Sequence, residues 1–140
     1  MAHVRSQIRD AIVTALSGMT ISVKASRAYS LTQGSDAALV YVSQDDVTQK
    51  AGPYIHRMAT VLVEMFVSGK ADTIDDTLDS HAVVVETALA GSKLGGLAKD
   101  VQLQRTEIAF NGEGAVPVGI LRMTYQIPYA TSEADPETAT

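Results

Sequence analysis

From His3 to Leu16 the apolar residues Val4, Ile8, Ala11, Ile12, Ala15 and Leu16 recur at the i, i+4, i+7, i+8 spacing of an amphipathic helix, and Gly18 is placed to stop it. Beyond it, SVKASRAYSL and ALVYVS carry short extended patterns on either side of TQGSD, whose Gly34, Ser35 and Asp36 favour a turn. The polar stretch from Ser43 to Pro53 has no apolar period and reads as a loop. It is long for a simple connection, a length that goes either with a binding element or with a mobile, dispensable one.

From Tyr54 to Val67 the chain alternates, with Ile55, Arg57, Ala59, Val61, Val63, Met65 and Val67 on one side. His56, Met58, Thr60, Leu62, Glu64 and Phe66 fall on the other, which predicts a long strand whose second half is covered on both faces. A second helix follows from Thr73 to Ala90, with Thr73 and Asp76 at capping-box spacing and Gly91 as the stop. Its apolar face gathers Ile74, Leu78, His81, Ala82, Val85, Ala88 and Leu89. Strands from Val101 to Phe110 and from Val116 to Tyr129, joined at NGEG, form a hairpin, with Leu121, Met123, Tyr125, Ile127 and Tyr129 on one face. Pro128 points to an edge or a strand end.

This order predicts an α+β, two-layer domain in which two main helices pack on one face of a mixed, mostly antiparallel β-sheet. Residues 1–130 form the single domain. The acidic segment 131–140 has no large apolar side chain and reads as a flexible, frayed tail.

Composition narrows the function classes. The 140 residues include 46% apolar and 19% charged residues, with no cysteine, so disulfide scaffolds, CxxC redox sites and cysteine nucleophiles are absent. The longest apolar stretch, Ala59 to Val67, is interrupted by Thr60 and Glu64 and falls well short of the roughly 20 residues a bilayer requires. The opening MAHVRSQIRD is too polar for a signal peptide. A net charge of −5 argues against a protein that coats nucleic acid. The charge is uneven: residues 1–30 carry a net +3, whereas Lys70 to Ala90 carry a net −4. That asymmetry is either a solvated helix face or a pair of complementary patches that join copies head to tail.

Motifs for phosphate loops, HExxH zinc sites, GxSxG nucleophiles and EF-hands are missing, and His3, His56 and His81 share no metal-ligand spacing. His81 reads as a boundary histidine of the second helix. Asp75, Asp76 and Asp79 are weak candidates for a hard cation such as Mg²⁺, although carboxylates in the first turns also complement the helix dipole. No catalytic residue and no cofactor is expected.

Val83 and Val84 lie at about 160° and 100° from the centre of the second helix's apolar face, so at least Val83 points outward. Either it is ordinary scattered apolar surface or it meets another subunit. Together with Arg57, Glu64, Asp45, Asp46, Gln49 and Lys50 these residues form the candidate interface set, taken from the pattern alone.

Over residues 54–131 the chain resembles the tail terminator, or tail completion, proteins of long-tailed bacteriophages, the lambda-type minor tail protein U family. The resemblance rests on the order RMATVLVEMFVSG, DDTLDSHAVVVETAL, LGGLAKDVQLQRTEIAF and GEGAVPVGILRMTYQIPYAT. Gly91, Ser92 and Lys93 stand where the family often has a DPT-like lead. The resemblance implies a non-enzymatic virion protein that forms a homohexameric ring on the neck-proximal end of the tail. Such a ring stops tube growth and meets the tail tube protein and the head-tail connector. DNA only passes through the channel, and no membrane is involved. Assembly would take place in the host cytoplasm, and an effect of Mg²⁺ on it is left open. The alternatives are another neck or head-tail joining protein and a small ligand-binding α+β domain; an enzyme ranks last.

Overall fold

In the computed structural model, which describes residues 2–27, 36–111 and 117–140, alternation along one long strand organises the molecule. The elements are α1 (Val4–Ala15), β1 (Ser22–Lys24), β2 (Ala37–Ala51), β3 (Tyr54–Ser68), α2 (Ile74–Leu89), a 3-10 turn (Leu94–Gly96), β4 (Gln102–Asn111), β5 (Val118–Ser132) and β6 (Asp135–Ala139). The strands form one mixed sheet in the order β1-β2-β3-β5-β4, with β6 added to β5. β1 pairs with β2 in parallel and the remaining neighbours are antiparallel.

β3 and β5 pair along their whole lengths, from Tyr54 opposite Ser132 to Ser68 opposite Val118. Opposite residues share a face. Val61 therefore meets Tyr125, Val63 meets Met123 and Met65 meets Leu121, and all six are buried. Val4, Ile8, Ile12 and Leu16 of α1 and Ile74, Leu78, Ala82, Val85 and Leu89 of α2 join them in one hydrophobic cluster. On the other side of β3, Leu62 and Phe66 are half-buried while Glu64 is buried. The expected covering of both faces thus holds only in part.

α2 is seated by a glycine. A Cβ at Gly119 would lie 2.2 Å from Ile74 Cγ2 and 2.9 Å from Leu78 Cδ1, so the helix rests directly on the β5 backbone there. The predicted capping box does not form: the Thr73 hydroxyl donates to the Lys70 carbonyl oxygen at 3.2 Å, and Thr73 makes no side-chain cap. On α1 the cap is His3, whose Nδ1 accepts from the Arg5 backbone N–H at 3.2 Å.

Two expectations are corrected. The expected loop at Ser43–Pro53 is the second half of β2, paired with β3 up to Ala51 opposite Tyr54 and closed by Gly52 and Pro53. Its side chains are mostly exposed, so no apolar alternation was required to build it. Gly52 has φ +60°, the conformation a two-residue hairpin turn with glycine first needs. The expected frayed tail at 131–140 instead continues β5 to Ser132 and returns as β6. Backbone bonds and side-chain contacts hold it, among them Thr140 N–H to Ala130 O at 3.0 Å and Gln7 Nε2 to Glu137 O at 2.7 Å. Pro128 sits inside β5 without penalty. Its carbonyl accepts from Lys99 N–H on the side where β4 has not yet begun, so its missing N–H breaks no ladder. Most of the expected turn at 32–36, and 112–114 of the NGEG turn, lie outside the described residues.

Candidate assembly interface

Two polar clusters tie the sheet together, and they absorb several of the residues expected at an interface. In the first, the Asp45 carboxylate on β2 accepts from Arg5 at 3.1 Å and from the Tyr129 hydroxyl, with the Arg57 guanidinium at 3.7 Å. His3 lies against the same arginines, with Nε2 3.3 Å from Arg5 and 3.5 Å from Arg57. Burial, then the charges of Arg5 and Arg57, lower the His3 pKa below 6.5, against a smaller opposing pull from Asp45. Burial, then the bond to Asp45, pushes the Tyr129 phenol up. One Asp45 oxygen and Arg57 Nε remain without a partner.

In the second cluster, on the other face of the sheet, Glu64 of β3 is only 7% exposed. It accepts from the Tyr41 hydroxyl and pairs with Arg122 Nε at 3.3 Å. The line continues through Arg122 to Glu107 at 3.9 Å and from Glu107 to Arg105 at 2.8 Å. Glu64, Arg122 and Glu107 stand in register across β3, β5 and β4, and Tyr41 reaches Glu64 diagonally from β2, where it lies opposite Leu62. Burial, then Glu64, pushes the Tyr41 phenol up to about 12, while Arg27 lies over its ring at 5.3 Å.

The structure thus places Asp45, Arg57 and Glu64 inside the subunit, engaged with their own chain. Asp46, Gln49 and Lys50 stand at the surface of β2, with Lys50 paired to Glu133 at 2.9 Å. Val83 is 63% exposed and Val84 also stands open on α2. Asp75, Asp76 and Asp79 are exposed, and among the described residues no group of His, Asp and Glu has the geometry to hold a metal ion. His81 is half-buried, at the boundary where the helical period put it.

β4 stands within a residue of the strand expected from Val101 to Phe110, but none of its residues was expected to lie bare. All ten of its residues are exposed, including Ile108 at 56% and Phe110 at 52%. Leu103, Ile108 and Phe110 lie opposite Tyr125, Leu121 and Gly119, on the side that carries the core, yet no helix among the described residues covers them. The apolar spacing was visible, but an apolar strand face read from sequence is assigned to a core by default. Between β4 and the C-terminal end of α2 lies a cavity of about 270 Å³ lined by Glu86, Leu89, Ala90, Val101, Leu103 and Tyr125. The Tyr125 hydroxyl is buried there without a partner. At the opposite end of the sheet, Arg5, Arg9 and Arg27 line a second concavity with Ser6, Ser26 and Tyr41.

Among the described residues no helix is long and apolar enough to cross a membrane. No family model and no curated protein matches the chain. Among solved structures, it is similar to a chain of the virion of a native gene transfer agent (GTA) particle. The two are 18% identical with a TM-score of 0.52, over 90% of this chain and 92% of that one. The likeness is one of fold, and it spans nearly the whole of both chains.

Proposed function

We propose that this chain is a non-enzymatic structural subunit of a phage-like virion. Its copies form a ring, hexameric by the resemblance described above, that caps the head-proximal end of the tail tube, stops tube polymerisation and offers a surface for head-tail joining. The observation that carries this reading is the fold shared, almost end to end, with a chain of a gene transfer agent virion. In the subunit itself, both helices contribute to one hydrophobic cluster with β3 and β5, and the residues of β4 stay exposed. The partners are further copies of the chain, the tail tube protein and the head-tail connector, with DNA only in transit through the channel. The subunit works at the neck end of the tail after assembly in the host cytoplasm. No cofactor enters this reading, and Mg²⁺ is tested as an assembly factor only.

The test is negative-stain electron microscopy of the purified, concentrated chain, with and without Mg²⁺ and with purified tail tubes. Six-fold rings with a central channel, free or seated on tube ends, are the expected result. Compact monomers under every condition, with tubes growing to unregulated length, would overturn the reading. Another position in the virion neck fits the same fold likeness. Gold-labelled antibody against the chain, imaged on intact particles, separates the two by where the label sits.

A further inference from the structure

The sheet ends in two unlike edges. At the β4 end, the core-side face of the last strand carries Leu103, Ile108 and Phe110 in the open. α2 runs over the neighbouring strand, from Gly119, where Ile74 and Leu78 touch down, to Tyr125, where Glu86 and Leu89 line the cavity, and it stops short of β4. On a helical wheel the flank that includes Glu86 also carries Asp75 and Asp79, so this edge is apolar with an acidic rim. At the β1–β2 end the edge carries an excess of arginine: Arg5 and Arg9 on α1, paired within the chain to Asp45 at 3.1 Å and to Asp10 at 3.0 Å, and Arg27 just beyond β1.

We propose that the flank of α2 and the bare face of β4 form the docking surface for a second copy of this chain, which presents its arginine-lined α1 and β1–β2 edge. This rests on the ring reading and deepens it by naming the seam. Three observations select a second copy. The first is charge complementarity between two edges of one chain, lying at opposite ends of one sheet. The second is the cavity at the α2–β4 junction. Apolar walls, a carboxylate at Glu86 and the unpartnered Tyr125 hydroxyl suit a long side chain with an apolar stem and a cationic tip, which is what an arginine supplies. The third is strand sense. Three antiparallel steps separate β2 from β4, so the two end strands run in opposite directions. A neighbour generated by rotation about an axis along the strands therefore brings its β2 edge beside β4 in the antiparallel sense. The contact is heterologous: each copy uses one edge and offers the other, and only ring closure satisfies both.

The experiment uses the full chain in two charge-reversed forms, Asp79→Lys with Glu86→Lys, and Arg9→Glu with Arg27→Glu. These side chains lie outside the hydrophobic cluster, and far-ultraviolet circular dichroism with thermal melts verifies that each variant folds. Light scattering after size-exclusion chromatography gives the mass. Each variant alone meets like charge at every seam and loses the ring, with at least a tenfold weaker association. An equimolar mixture restores rings, because the seams then alternate between the native pairing and its reverse. Tyr125→Phe keeps the monomer as stable as the parent and weakens association, since the lost hydroxyl is used only at the seam. If the parent forms rings and neither variant changes them, or the mixture fails to restore them, the seam is elsewhere while the ring reading stands. If the parent stays monomeric at every concentration and with tubes, the ring reading falls and the seam with it.

Discussion

At the scale of single residues, Asp45 carries more than its position on an exposed half-strand suggests. Its carboxylate lies between two guanidinium groups and a buried phenol, so Asp45→Ala leaves Arg57, whose side chain is only 14% exposed, without its counter-charge. Removing one member of such a pair costs about 3 kcal/mol. Urea denaturation followed by circular dichroism should show a midpoint shift of that size with an unchanged slope. His3 gives the same cluster a pH signature. Its folded pKa is depressed, so the unfolded chain binds the proton more readily, and the stability it contributes is complete above about pH 6.5 and is lost as the pH falls. The melting temperature of the parent should therefore drop more between pH 7.5 and pH 5.5 than that of His3→Asn, which keeps a capping side chain without the titration. The tyrosines set the opposite limit. Tyr41 and Tyr125 are held neutral up to about pH 12, so their contribution is complete below pH 10 and is lost as the pH rises through that window. None of this was legible in the sequence. Asp45 and Tyr129 are 84 positions apart, and no local period links them.

At the scale of elements, legibility followed burial. α1, α2, β3 and the β4–β5 hairpin carry apolar periods because each has a face turned to the core or to the core side of the sheet, and the sequence places them within a few residues of where they stand. The outer half of β2 and all of β6 carry no such period. They are held by backbone pairing and by isolated ties such as Lys50 to Glu133, which hydropathy does not register. The seating of α2 supplies a sharp test. Gly119→Ala pushes a methyl group into Ile74 and Leu78, and relieving it means lifting the helix, a cost of about 1–3 kcal/mol. Thermal melts should show the loss. Val83→Asp, on the outward side of the same helix, should leave the stability within about 0.5 kcal/mol of the parent and impair ring formation. An unaltered ring would remove Val83 from the interface.

At the scale of the whole molecule, the two ends of the described chain lie together, since Gln7 binds the Glu137 carbonyl and Thr140 returns to Ala130. Neighbouring ends tolerate rejoining. A circular permutant that links the present ends by a short Gly-Ser bridge and opens the chain between Gly52 and Pro53 should fold and should keep the size distribution of the parent on a sizing column. Collapse of the permutant into aggregates would show that the β2–β3 hairpin must stay covalently closed for the sheet to form.

β3 occupies the middle of the sheet, but its second neighbour, β5, begins fifty residues after β3 ends. A ribosome therefore delivers β3 long before the strand that completes it. Until then, one whole edge of a fifteen-residue strand, five of its residues valine or methionine, faces solvent unpaired. The nascent chain must wait in that condition, and β4, which lies between the two in sequence, is released before the strand it binds. Fast or crowded synthesis thus favours pairing between chains in place of pairing within one. Low expression temperature should raise the yield of soluble subunit more than it does for a fold whose neighbouring strands follow one another in sequence.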